Sequence, residues 1–211
     1  MMDSLTRKLL QIAPGEPWVS WLNRAEEVLR AGGVVAYPSE TVWGLAALPD
    51  VQGVQRLFEV KGRSESKPVQ ASFLNLSVAR PFVEAADTFE RLTVFLPGPL
   101  TIVTPASAAC PVTLAPGGRV GVRVPDHPVA LALLERMGGV LATTSCNRSG
   151  APAALSAVEA QQLGLADLVV PDGGVRALGL PSTVLDLAAR RVLRKGAIPA
   201  AQIMAVLEGA P

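Results

Sequence analysis

The sequence predicts a single α/β domain, and three observations carry that expectation. Apolar residues recur in places at the three-to-four spacing of a helix and in others as short runs of strand length, and the two patterns mostly alternate along the chain. The chain has 211 residues, 49% of them apolar, which is enough for one sizeable core and too little for two comfortable ones. No internal repeat, heptad run or low-complexity tail points to a solenoid, a coiled coil or a disordered arm.

The elements follow in order. Trp18, Trp21, Leu22, Ala25, Val28 and Leu29 lie on one helical face, and Gly32-Gly33 ends that helix. Val34 to Tyr37 is a buried strand stopped by Pro38, and Ser39 to Gly44 reads as a turn or irregular segment. Val51, Val54, Leu57 and Phe58 give a helix ending near Lys61-Gly62, with Arg63 to Pro68 a polar loop and Val69 to Leu74 the next strand. Helices are expected near Val78 to Ala86 and Thr88 to Leu96, broken by Pro97-Gly98-Pro99, before a strand from Leu100 to Thr104 and a loop from Pro105 to Gly118. Val120 to Val124 is a strand, Pro128 to Met137 a helix, and Val140 to Thr144 a strand entering Ser145-Cys146-Asn147-Arg148-Ser149-Gly150. A helix from Ser156 to Leu163, strands at Leu168 to Val170, Thr183 to Leu187 and around Val192-Leu193, and a helix from Ala200 to Leu207 complete the series.

Composition narrows the function. Cys110, Cys146 and the lone His127 cannot build a Cys/His metal cluster, and a disulfide framework is not expected. Nothing near Met1 resembles a signal-peptide core, and no apolar run is long enough for a membrane span, so a soluble cytoplasmic protein is expected. A net charge of +1 gives no support for a duplex-binding surface, which ordinarily carries a basic excess.

Polar clusters follow several of the expected elements: Ser39/Thr41, Lys61/Arg63/Lys67, Ser145/Asn147/Arg148/Ser149, and Ser182/Thr183 with Arg194/Lys195. Arg123 sits inside an otherwise apolar strand, where an unpaired charge would be costly. Converged, these residues would make a cationic, hydroxyl-rich pocket for a small anion, Lys giving a compact charge and Arg a planar fork. With a single histidine no Ser-His-Asp set can be assembled, and neither a Walker phosphate loop nor a GxGxxG turn is present. Taken singly, each feature has an ordinary structural reading. Lys61-Gly62-Arg63 could be a solvated helix end, Ser145/Asn147 a helix cap, Arg123 a half-exposed edge residue and Trp43 core. His127 reads as a turn residue beside its prolines, and both cysteines as inert packing groups.

Joint occurrence changes the weight. Tyr37-Pro38-Ser39-Glu40-Thr41-Val42-Trp43-Gly44-Leu45, Lys61-Gly62-Arg63 with Lys67-Pro68, Leu96-Pro97-Gly98-Pro99-Leu100-Thr101, Val122-Arg123-Val124-Pro125-Asp126-His127-Pro128, Thr144 to Gly150, Pro181-Ser182-Thr183-Val184 and Arg194-Lys195-Gly196 resemble, in order and spacing, the successive motifs of the YrdC family. The resemblance runs from about Val28 to Ile198. It implies a twisted mixed sheet with helices around a large concave, positively charged cavity, with residues 1–17 an extension and 18–211 a YrdC-like domain of the short bacterial form.

The resemblance also implies the family's activity as a threonylcarbamoyl-AMP synthase, joining L-threonine, bicarbonate and ATP, with Mg²⁺ carried mainly by the triphosphate and no metal site in the protein. The product would go to downstream tRNA threonylcarbamoyl-transfer proteins, with neither membrane nor stable nucleic-acid binding required. Lys61 and Arg63 match the pair on the ATP phosphates that stabilises charge in catalysis, and Asn147 and Arg194 match further ATP contacts. Ser39, Thr41, Arg123, Ser145 and Ser182 match the threonine pocket, Arg123 facing the carboxylate. Departures are Ser39 for a common Thr, Trp43 for Tyr, Cys146 for Ala, and Arg119 and Leu155 each for a frequent Thr; Trp43 loses a phenolic acceptor, and Arg119 adds a charge without an evident partner. Two competing readings are a carbamoyl-transfer module of hydrogenase-maturation type, which sits in far longer chains, and an RNA-binding module, disfavoured by the near-neutral charge and scattered phenylalanines.

Overall fold

A computed structural model describes residues 18–62, 68–84 and 87–209. The amphipathic helix α1 (Trp18–Arg30) leads into β1 (Val35–Tyr37), β2 (Gly44–Ala47) and α2 (Val51–Lys61). Then come β3 (Gln70–Phe73), the single turn α3 (Leu76–Ala79), α4 (Asp87–Leu92), β4 (Leu100–Pro105) and β5 (Arg119–Arg123). The remainder is α5 (Pro128–Arg136), β6 (Val140–Ser145), α6 (Ala157–Leu163), β7 (Leu168–Val169), β8 (Thr183–Asp186), β9 (Arg191–Arg194) and α7 (Ala200–Glu208).

Among the described residues, nine strands form one mixed sheet in the order β7-β1-β2-β6-β3-β5-β4-β8-β9. The pairs β1/β7, β3/β5 and β4/β8 are parallel and the others antiparallel, as the mixed-sheet expectation requires. The twofold alternation of side chains along each strand then sorts the chain into two faces. One face carries Ala36, Leu45, Ala71, Phe73, Leu100, Ile102, Val120, Val122 and Leu185 into the larger core, beneath Val54 and Leu57 of α2, Phe89 and Leu92 of α4 and Ile203 and Leu207 of α7. The other carries Val35, Tyr37, Ala46 and Leu141 into a second core against α1 and α5. These two helices cover the β1, β2 and β6 side of that face, and beyond them the face stays open.

Two expectations are corrected. No strand was expected after the turn at Ser39 to Gly44, yet β2 is fully buried and pairs with both β1 and β6. With both faces covered, Gly44-Leu45-Ala46-Ala47 has no polar alternation to reveal it. The helix expected from Val78 to Ala86 stops early: Arg80 to Phe82 tighten into a 3-10 turn around Pro81, and Val83 is extended and bridges Ala106. Arg123 is on no edge, since β5 lies between β3 and β4. His127 is more than a turn residue: Nδ1 accepts the Val129 amide at 3.3 Å and so caps α5.

Candidate functional site

A cavity of about 440 Å³ occupies the open part of the second face, within the usual small-molecule range of about 300–1,000 Å³. Strand alternation supplies its floor: Gln70 and Ser72 from β3, Thr101 and Val103 from β4, Arg119, Gly121 and Arg123 from β5, Thr143 and Ser145 from β6, and Val184 from β8. The turn between β1 and β2 adds Ser39, Thr41 and Trp43, and the approach to β8 adds Pro181 and Ser182.

Ser39, Thr41, Arg123, Ser145, Ser182 and Arg194 from the sequence-derived set thus share one cavity, although the first and last are 155 residues apart. Ser39 and Thr41 hydroxyls lie 2.9 Å apart, and Ser39 donates to the Val42 carbonyl at 2.6 Å, which fixes the turn. Arg194 donates to the Ser182 carbonyl and hydroxyl, each at 2.9 Å from Nη2, and the Ser182 and Thr101 hydroxyls are 2.9 Å apart. Gly44 is needed here because a Cβ would come within 2.7 Å of the Tyr37 ring.

Lys61 and Asn147 stand behind the wall rather than on it. Gly62, in the left-handed region at φ 57°, caps α2 and ends the helix on Lys61. The buried Lys61 ammonium then donates to the Ser145 carbonyl (2.6 Å), the Asn147 carbonyl (2.9 Å) and Asn147 Oδ1 (2.7 Å). Asn147 Oδ1 also accepts from Ser145 Oγ at 2.7 Å, so the lysine organises the turn that presents Ser145. Arg63 and Lys67 lie outside the described residues.

Two of the arginines in the cavity come with counter-charges that the sequence did not pair with them. Arg123 is hydrogen-bonded to Glu40, and Arg119 to Asp186, the partner it lacked on sequence grounds. The Arg119 guanidinium holds the Asp186 carboxyl below the usual carboxylate range. Gln70, Ser72 and Thr143 are site residues outside the motifs, and Tyr37 and Thr101, inside them, were given no role. Ser72 and Thr143 hydroxyls are 2.7 Å apart on the floor, next to the Tyr37 phenol, whose pKa burial raises. Strand alternation could have marked them, but only once the register had been known. Trp43 is 1% exposed and serves as both core and cavity wall. Cys146 is fully buried, and burial pushes its thiol up to about 11, consistent with a packing role.

Among the described residues, no three His, Cys, Asp or Glu side chains cluster as metal ligands. Nor is any described helix long and apolar enough to cross a membrane. The arrangement can therefore orient a small substrate by hydroxyl and guanidinium contacts, whereas its one histidine is committed elsewhere as a helix cap.

Residues 27–196 match the Sua5/YciO/YrdC family model, described as telomere recombination. A threonylcarbamoyl-AMP synthase of Thiobacillus denitrificans is 39% identical over 171 residues, covering 79% of this chain and 90% of that relative. One of Pyrococcus abyssi is 39% identical over 189 residues, 85% of this chain and 55% of the longer relative. Among solved structures, Sua5 of P. abyssi complexed with L-threonine superposes with a TM-score of 0.80 at 35% identity, over 88% of this chain and 56% of that one.

Proposed function

The chain belongs to the Sua5/YciO/YrdC family, and from that premise we infer that it is a threonylcarbamoyl-AMP synthase, acting in the formation of threonylcarbamoyladenosine in tRNA. The observation that carries this reading is the convergence of Ser39, Thr41, Arg123, Ser145, Ser182 and Arg194 on one cavity. It is supported by the likeness to a relative solved with L-threonine.

The reaction joins L-threonine, bicarbonate and ATP. Threonine's amine and bicarbonate give a carbamate and water. A carbamate oxygen then attacks the α-phosphorus, forming the mixed anhydride as the bond to pyrophosphate breaks. The carbamate is itself the nucleophile, so the protein positions two anions and offsets charge on the phosphates, work that needs no general base. Arg123 receives the amino-acid carboxylate, with Ser39, Thr41, Ser145 and Ser182 around it. Arg194, Asn147, Lys61 and Arg63 serve the nucleotide, Lys61 and Asn147 through the turn they hold. Mg²⁺ enters with the triphosphate, whose charge it offsets. The product passes to downstream threonylcarbamoyl-transfer proteins, and the work is cytoplasmic.

Purified protein supplied with ATP, Mg²⁺ and bicarbonate is expected to release pyrophosphate only when L-threonine is added. Release that ignores the amino acid would overturn the assignment. Lys61→Ala, which releases the Ser145–Asn147 turn, and Arg63→Ala, which removes a charge from the phosphates, are each expected to lower turnover at least about tenfold; unchanged kinetics in both would place the nucleotide elsewhere.

A further inference from the structure

Glu40 falls between Ser39 and Thr41, yet the reaction as derived above gives it nothing to do. Its carboxylate is nevertheless held at both oxygens. One oxygen accepts from Nη2 of Arg123, and the other accepts the Asp126 amide at 3.1 Å. The Arg123 side chain is 3% exposed and that of Glu40 13%. Thr41 Oγ1, 3.4 Å from the same Nη2, and the Leu100 carbonyl, 3.3 Å from Nη1, complete the cradle.

A guanidinium so buried on a central strand needs a counter-charge, and because it is a planar fork, whatever holds one side of it sets the direction of the rest. Glu40 does both. Arg123 and Thr41 line the cavity but Glu40 does not, so its carboxylate acts from behind the guanidinium. Its placement is itself fixed, because its backbone carbonyl accepts the Leu178 amide at 2.8 Å and the Thr41 carbonyl accepts the Gly179 amide at 3.0 Å. That segment runs directly into Pro181 and Ser182 of the cavity wall.

We propose that Glu40 is a positioning residue for the substrate carboxylate, setting the plane in which the Arg123 guanidinium faces the cavity. The proposal rests on the reading of Arg123 as the carboxylate's partner. It places the effect of Glu40 on the amino acid and not on the nucleotide.

The test is steady-state pyrophosphate release with L-threonine and ATP varied separately, alongside thermal melting. Glu40→Gln keeps the shape and removes the charge; it is expected to raise the KM for threonine at least about tenfold while leaving the KM for ATP and kcat within about threefold, the pattern of lost binding rather than lost chemistry. Glu40→Asp, with the charge on a shorter arm, should recover part of the threonine affinity. An unchanged threonine KM in Glu40→Gln overturns the proposal, as does a parallel rise in both KM values with a lowered melting temperature, which marks a purely structural role. Should Glu40→Gln fail to fold, Glu40→Asp carries the same test, and an unaltered threonine KM there overturns it. Arg123→Gln separates the two layers: if it leaves the threonine KM unchanged, the reading of Arg123 fails; if it raises that KM and Glu40→Gln does not, only the positioning role fails.

Discussion

The two halves of one sheet face differ sharply. Over Val35 of β1, Ala46 of β2 and Leu141 of β6 the face is dry, packed beneath Trp18, Leu22 and Leu29 of α1 and Val129, Ala130 and Leu133 of α5. Over β3, β5, β4 and β8 the same face of the same sheet presents Gln70, Ser72, Arg119, Arg123, Thr101 and Ser182 to a cavity. Strand geometry is common to both halves. What separates them is whether a helix with a complementary apolar face is available, and the charges left in the open half are tolerable because Glu40 and Asp186 lie against them. The difference teaches that the covered half supplies stability and the open half supplies binding, so substitutions in the two should have separable effects.

The largest effect is expected in the covered half. Leu133→Ala should cost about 2–5 kcal/mol in denaturant unfolding, the range for a buried leucine truncated in a tight core, with both KM values unchanged. A raised threonine KM at that position would break the division of labour.

An effect of similar kind but dependent on pH belongs to His127, at the start of α5. Burial pushes its imidazole down to about 4, opposed by the Val175 carbonyl and by Asp172 and Asp126. The unfolded chain therefore takes up the proton first as pH falls. Stability should drop between about pH 6.5 and pH 4 by roughly 3 kcal/mol, with no further contribution from this group below that window. His127→Asn retains an acceptor for the α5 cap and removes the titration, so its unfolding midpoint should fall less over that window. Identical pH profiles for the two proteins would contradict the assignment.

The smallest change in stability is expected in the open half. A Cβ on Gly121 would meet Gln70 Cβ at 3.5 Å and Thr101 Cγ2 at 3.7 Å, ordinary contact distances. Gly121→Ala should thus leave the fold intact and even gain up to about 1 kcal/mol from lost unfolded-state freedom. The added methyl stands on the cavity floor between Arg119 and Arg123, so substrate affinity should fall severalfold. A more stable protein with weaker binding would sharpen the comparison; unchanged binding would mean that substrate does not approach that stretch of floor.

How much of this was legible in the sequence follows the same boundary. Helices α1 and α2 declare themselves because each has one wet side, and α2 carries a readable stop in Gly62. The fold class followed from that periodicity and from the order of motifs. β2 was missed because burial on both faces erases the pattern. At the site, motif order picked out loop residues together with Arg123, Ser145 and Arg194 on strands, while Gln70, Ser72 and Thr143 of the floor escaped. Ser72 and Thr143 meet across 71 residues of sequence and Glu40 and Arg123 across 83, and neither pairing leaves a local trace. Arg119 was visible as a charge, but its partner Asp186 is set by how β5, β4 and β8 line up.

Lys61 carries a lesson for inhibitor chemistry. An ammonium has three N–H donors, and this one already donates to three oxygens of the Ser145–Asn147 turn. An anionic compound aimed at it must displace those bonds and recovers only the difference between the old contacts and the new, while loosening the turn that presents Ser145. A flat carboxylate aimed at Arg123 meets a guanidinium that Glu40 already holds in place. Between two cations of equal charge, the one braced from behind offers the better handle.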